Sequence, residues 1–172
     1  MDATADRVLS RDAPVLSGAV ELQFGEREHH GPGEATDRMP AAIVPDGDKA
    51  WFFKIVGPVA EIDAHAADIE KFFTSIRSAV GKPVPAWELP DAWTEQGATG
   101  MRAATLLVPA TAKPLELTVT SLPWTSSTAE VLSNVNRWRG QMQLAPVNAQ
   151  GLAECTRSID ADNLKVTVVD LK

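Results

Sequence analysis

A single cysteine, Cys155, is the whole of the chain's thiol content. That excludes an internal disulfide framework and says little else about compartment. No apolar run approaches the ~18 residues that a membrane helix needs, so no span is expected. Lys and Arg gather into no basic face, which argues against nucleic acid as a partner. A nucleophile elbow, a P-loop and a dinucleotide fingerprint are all missing. Ser, Asp and His are present, but without a motif they make no triad. Met1 runs straight into Asp-Ala-Thr-Ala-Asp-Arg7 rather than into an apolar leader.

What the chain does contain is the composition of an ordinary globular protein: 172 residues, 44% hydrophobic and 23% charged, enough to bury a core. The net charge of −7 is unevenly placed. Residues 1–48 hold ten acids against four bases, and residues 49–172 thirteen against twelve. Low hydrophobicity and acidity make residues 1–37 a flexible lead-in with at most one edge strand, at 19–25. A single domain is expected over 38–172.

Met39 to Val44 and Lys49 to Val56 are apolar runs joined by Pro45-Asp-Gly-Asp48, the chemistry of a hairpin turn. In the second run Trp51, Phe53 and Ile55 share one face, and Phe52, Lys54 and Val56 the other. Both faces are mostly apolar, so the strand belongs inside a sheet covered on two sides. Gly57-Pro58 opens a helix whose stripe is Ile62, Ala66, Ile69, Phe73, Ile76 and Val80, stopped by Gly81-Lys-Pro-Val-Pro85. Residues 83–100 read as a Trp-containing loop, and a second hairpin follows at 101–108 and 115–122. Ser127-Thr-Ala-Glu130 is a capping box, with Ser127 as N-cap and Glu130 bonding back. Its helix buries Val131, Val135, Trp138 and Met142 and ends before Pro146. Residues 147–163 read as irregular with one short helical turn, and a last strand spans 164–171. The fold expected is α+β: a mainly antiparallel sheet of five to six strands with two main helices, arranged like an α/β/α sandwich.

The element Trp87-Glu-Leu-Pro-Asp-Ala-Trp93, with the hairpin 101–122 and the helix 128–143, resembles the first half of PsbP-like domains. The hairpin 39–56 and the helix 58–79, ending Phe72-Phe-Thr-Ser-Ile76, resemble their closing half, so the likeness requires a circular permutation. It implies an α/β/α sandwich and an accessory or binding role, and it carries over no catalytic residue. The set Trp51-Phe-Phe-Lys54, the Trp87–Trp93 element and Asn134-Val-Asn-Arg-Trp-Arg-Gly-Gln141 also resembles an uncharacterised bacterial family often found in envelope lipoproteins. The location implied is the bacterial envelope if a leader has been removed upstream, and the cytoplasm otherwise.

The polar row Asn134, Arg137 and Gln141 has helical spacing beside Trp138. An arginine flanked by amides suits a carboxylate, a phosphate or exposed carbonyls. The same groups serve equally to tie neighbouring loops. Lys54 interrupts an apolar strand, either as a reactive amine or as a stem that packs while its head reaches water. Arg102 faces a partner in Glu116 across the second hairpin. Trp124 falls in a loop beside the α-helical row, either capping the sheet or lining a binding rim. His29-His30 with Glu26, Glu28 and Glu34 has no metal-site spacing. His65 reads as a boundary residue, and Cys155 lacks a partner for nucleophilic work.

The leading expectation is a non-enzymatic binding or accessory domain with a polar-aromatic cleft made by Asn134, Arg137, Trp138, Gln141, Trp124, Lys54 and Arg102. No catalytic residue, metal or cofactor is assigned. Its partner would be a protein or a small anionic or polar ligand. The alternatives are an enzyme using Lys54 or a carboxylate in that cleft, with Arg137 stabilising charge, and a protein-interaction module.

Overall fold

The structure, a computed structural model, describes residues 36–125, 127–161 and 164–172. The lead-in strand expected at 19–25 and the His29-His30 loop lie outside the described residues. Those described belong to one compact unit, Gly33–Lys172.

The first hairpin forms as the sequence dictates. Strand β1 (Asp37–Asp46) turns through Gly47, at φ +66°, into β2 (Lys49–Ile55), in the register Val44 to Trp51 and Ala42 to Phe53. A left-handed backbone at the turn is one that glycine adopts without cost. The second hairpin joins β5 (Arg102–Val108) to β6 (Leu115–Pro123). The short strands β3 (Gly57–Pro58) and β4 (Thr94–Gln96) pair with β1 and β5, and β7 (Thr156–Ala161) pairs with β8 (Leu164–Leu171). All pairings are antiparallel, in the order β4-β5-β6-β2-β1-β8-β7, with β3 off that path against β1. Among the described residues the sheet therefore has eight strands rather than five to six.

Among the described residues four helices accompany it, where two main ones were expected. Helices α1 (Val59–Ala64) and α2 (Ala66–Ser75) bury Ile62, Ile69, Phe72 and Phe73 against Trp51, Phe53 and Ile55. On the opposite face α3 (Thr128–Gln141) and α4 (Ala149–Cys155) bury Val135, Trp138 and Leu152 against Met39, Ala41, Ile43 and Phe52. The alternation along β1 and β2 thus feeds two separate cores, as strands covered on both sides must. Phe53 packs edge-on to Phe72 and Trp87, while the adjacent Phe52 packs edge-on to Trp124 and Trp138. Each such side chain, moved from water to core, contributes on the order of 1.5–3 kcal/mol.

Three further expectations are corrected. The helix read as continuous from 58 breaks at His65, whose N–H turns back to the Ile62 carbonyl at 3.1 Å. It ends at Ser75, because that hydroxyl donates to the Phe72 carbonyl at 2.7 Å and accepts the Glu88 amide at 2.9 Å. The chain then bridges Arg77 to Ala86, and Val80 lies 98% exposed instead of on the buried stripe. Within the stretch read as irregular, residues 149–161 are regular: Asn148 caps α4 by accepting the Gly151 amide at 3.0 Å, and β7 follows at once.

One ion-pair hub fastens β1 to its surroundings. Arg38 grips both oxygens of Asp170 on β8, at 2.9 and 2.6 Å, and also pairs with Asp63 on α1. The hydrogen bond that Arg38 donates to Asp170 leads the effects that raise the Arg38 pKa, against the opposing pull of burial. A second pair, Arg157 to Glu70, links β7 to α2, with one contact at 3.0 Å.

Candidate functional site

Helix α3 starts where the capping signal places it. Ser127 Oγ accepts the Glu130 amide at 3.2 Å. The Glu130 carboxylate reaches past Ser127 and accepts from the Thr125 amide and hydroxyl, at 2.8 and 2.7 Å. It therefore staples the entering chain instead of closing the box on the cap residue. The apolar stripe seats Val135 and Trp138 in the core, with Val131 and Met142 packed beside them. Trp124 and Trp138 are 6% and 2% exposed, so both are anchors of this helix and neither is a rim.

The polar residues of α3 divide into two groups. Asn136 clamps the backbone of Val147, donating at 2.9 Å and accepting at 2.8 Å, and Arg139 Nε donates to the Ala145 carbonyl at 2.6 Å. These two tie down the loop after the helix. Asn134 donates to the Glu130 carbonyl at 2.9 Å and accepts from Arg137 Nη2 at 3.0 Å, which holds the guanidinium along the helix. Arg137 itself is exposed, as is Gln141 one turn on. Contacts that tie the following loop, of the kind the sequence left open for Asn134, Arg137 and Gln141, are made by Asn136 and Arg139.

The sheet beside α3 supplies the rest. Lys54 points to the α3 face, like Phe52 two residues earlier, and its Nζ lies 5.9 Å from the centre of the Trp138 ring. Its cross-strand partner on β6 is Thr118, which in turn faces Thr105 on β5. Arg102 stands opposite Thr120, yet its guanidinium pairs with Glu116 at 3.2 Å. Thr118 lies between those two β6 positions on the same face, so the Arg102 side chain has to run across it, alongside Lys54. The Arg102–Glu116 partnership expected across the hairpin is present, but as this long diagonal: the residue directly opposite Glu116 is Leu107.

Three cations therefore converge on one shelf: Lys54 from β2, Arg102 from β5 and Arg137 from α3. Burial, then the positive charges of Arg137 and Arg102, bring the Lys54 pKa down from an ordinary 10.5 to about 8. Thr105, 5% exposed, and Thr118 form the polar floor. The alternation of β6 had already put Glu116, Thr118 and Thr120 on one side, so this floor was readable from sequence. Of the residues singled out there, Lys54, Arg102 and Arg137 meet at the shelf. Trp138 walls it from the core side, and Asn134 orients Arg137. Trp124, like Trp138, packs edge-on against Phe52 and holds the core.

Such an arrangement suits the binding of negative charge, since two guanidinium groups and an ammonium gather on one face of the sheet, with Glu116 bonded to Arg102. Among the described residues no group of His, Cys, Asp and Glu has the makings of a metal site. Cys155 donates to the Leu152 carbonyl at 3.4 Å, and burial pushes its thiol pKa up, away from a reactive thiolate. No protein-family model, no curated protein and no solved structure matches this chain.

Proposed function

We propose that this domain is a non-enzymatic binding or accessory module that holds a small anionic ligand over the Lys54–Arg102–Arg137 shelf. The convergence of three cations on a half-covered sheet face is the observation that carries it. Like charges brought together cost stability, and an anion between them removes that cost. Arg137 grips from the helix, Arg102 from the sheet, and Lys54 from below; Asn134 orients Arg137. The resemblance to PsbP-like accessory domains supports the non-enzymatic side of this reading.

The test is a calorimetric titration of sulfate into the protein at low ionic strength. Saturable binding is expected in the wild type, weakened at least tenfold, or ~1.4 kcal/mol, in Arg137→Ala and in Arg102→Ala. Arg137→Ala should also melt within about 1 °C of wild type, because an exposed arginine bonded within its own helix carries little of the fold. Absence of saturable binding, or a melting temperature many degrees lower in Arg137→Ala, refutes the proposal.

The lowered Lys54 favours a second reading, an enzyme in which the neutral amine acts as base or nucleophile beside Arg137. Trapping with borohydride in the presence of a carbonyl compound, with no label at Lys54 above that at other lysines, would dispose of the nucleophile.

A further inference from the structure

We propose a second binding site on the other face of the sheet: a slot between α2 and the strands β1, β8 and β7 that takes a free aliphatic α-amino acid as its zwitterion. It stands apart from the cationic shelf and does not rest on it.

The slot follows from the register of three neighbouring strands. Arg38 and Pro40 on β1 share a face, as alternation requires, and Pro40 stands opposite Asp170 on β8. Val168, on the same face of β8, stands opposite Arg157 on β7. Over them lie Ile62 of α1 and Ala66, Ile69 and Phe73 of α2. The gap left between the two layers measures about 70 Å³. An apolar cavity of about 150 Å³ holds benzene, so one about half that size suits a branched chain of roughly three or four carbons and excludes a ring.

The mouth of the slot selects the polar end of the ligand. Arg157 and Glu70 close it on the β7 side, with one contact at 3.0 Å and both side chains about half exposed. Arg38 and Asp170 close the opposite side through two hydrogen bonds at 2.9 and 2.6 Å, and Asp63 holds Arg38 from α1. Each of these charges already sits in an ion pair, two guanidiniums against three carboxylates. A carboxylate arriving alone has to take Arg157 from Glu70 and leaves that acid without a partner. An ammonium arriving alone strands Arg157 in the same way. A zwitterion supplies both halves: its carboxylate takes the Arg157 guanidinium, and its ammonium bonds Glu70 and the remaining lone pairs of Asp170. The exposed Arg157–Glu70 pair yields readily to this exchange, because such pairs are weak. The Arg38–Asp170 fork, with the arginine only 20% exposed, stays as the fixed wall. The aliphatic side chain then lies against Ile69, Phe73 and Val168. A concave apolar floor with a few convergent polar groups is the common make-up of a small-molecule site.

The experiment is a titration of L-leucine and L-valine into isotope-labelled protein, followed by the backbone amide resonances. Saturable shifts are expected at Ala66, Glu70, Arg157 and Val168, with a millimolar dissociation constant or tighter. Three probes should each bind at least tenfold more weakly: L-phenylalanine, whose ring is too large, isocaproate, which lacks the ammonium, and isoamylamine, which lacks the carboxylate. Ala66→Leu, which fills the slot from an exposed helical position, and Arg157→Gln should each weaken leucine at least tenfold. Arg157→Gln should do so while melting within about 4 °C of wild type, since its pair is exposed. No saturable shift with either amino acid overturns the site. Isocaproate or isoamylamine binding as tightly as leucine overturns the zwitterion, and phenylalanine doing so overturns the slot's hold on the side chain. Leucine binding undiminished in either variant overturns its placement between α2 and the sheet.

Discussion

Replacing Lys54 by Met should make this protein more stable at neutral pH, although it removes a charged group that contacts an aromatic ring. The fall in pKa from 10.5 to about 8 corresponds to about 3 kcal/mol at 1.36 kcal/mol per unit. That is the cost of keeping the ammonium charged in the folded state at pH 7. Against it stands the loss of the contact with Trp138 at 5.9 Å, worth roughly 0.5–1 kcal/mol. The net expectation is a gain of about 2 kcal/mol, or roughly 6 °C in Tm for a domain of this size. The sign with pH is fixed by linkage. Because the folded state holds the proton less tightly than the unfolded chain, wild-type stability rises between about pH 8 and 10.5. The advantage of Lys54→Met should therefore shrink toward zero by about pH 9.5. Urea denaturation of both proteins at pH 7 and 9.5 measures this directly. A variant less stable than wild type at pH 7, or a gain indifferent to pH, would refute the view of Lys54 as a strained cation.

The two arginine pairs at the other end of the sheet should differ in value. Arg38→Ala leaves two carboxylates facing a partly buried gap where the side chain is only 20% exposed, and should cost about 2 kcal/mol in denaturant melts. Arg157→Ala breaks a pair about half exposed on both sides, so its cost should stay under ~1 kcal/mol. Among the amides of α3, Asn136→Ala should lose about 1–3 kcal/mol because it orphans both backbone groups of Val147. Asn134→Ala, whose bonds stay within the helix, should lose less than half as much by the same thermal assay. A reversal of either order would mean that these contacts do not rank as their burial implies.

Local chemistry made much of this legible in sequence. The turn at Pro45-Asp-Gly-Asp48 and the doubled apolar faces of Trp51–Val56 specify a buried hairpin, and the structure has it in that place. The cap at Ser127 and the stripe through Trp138 place α3. Strand β7 was missed because an edge strand with Arg157, Ser158 and Asp160 exposed packs only Ile159 and Ala161 inward, too few to print a two-residue period on its sequence. The break at His65 and the early end at Ser75 depend on the Glu88 amide and the Arg77–Ala86 bridge, contacts that no helical periodicity encodes. Arg38 gave no signal at all, since its main partner lies 132 residues away. At the shelf, sequence grouped Lys54, Arg102 and Arg137 in one cleft with Asn134, Trp138, Gln141 and Trp124, with no contact between the strands to join them. The contacts that join them come from the sheet register and the Arg102–Glu116 diagonal, with Arg137 reaching Lys54 from α3.

The position of β8 in the sheet has a consequence for how the protein is made. Strand β8 pairs with β1 from Met39 to Ile43, so a strand translated near the start of the domain waits for one translated well over a hundred residues later. Until Leu164–Leu171 clears the ribosome, β1 presents an open edge, with Ala41 and Ile43 facing one way and Ala42 and Val44 the other. Such an edge is the natural docking point for another unfinished chain. The nascent protein should therefore depend on shielding by chaperones until its last strand arrives, and a ribosome stalled before residue 164 should leave a species that aggregates rather than a smaller folded one.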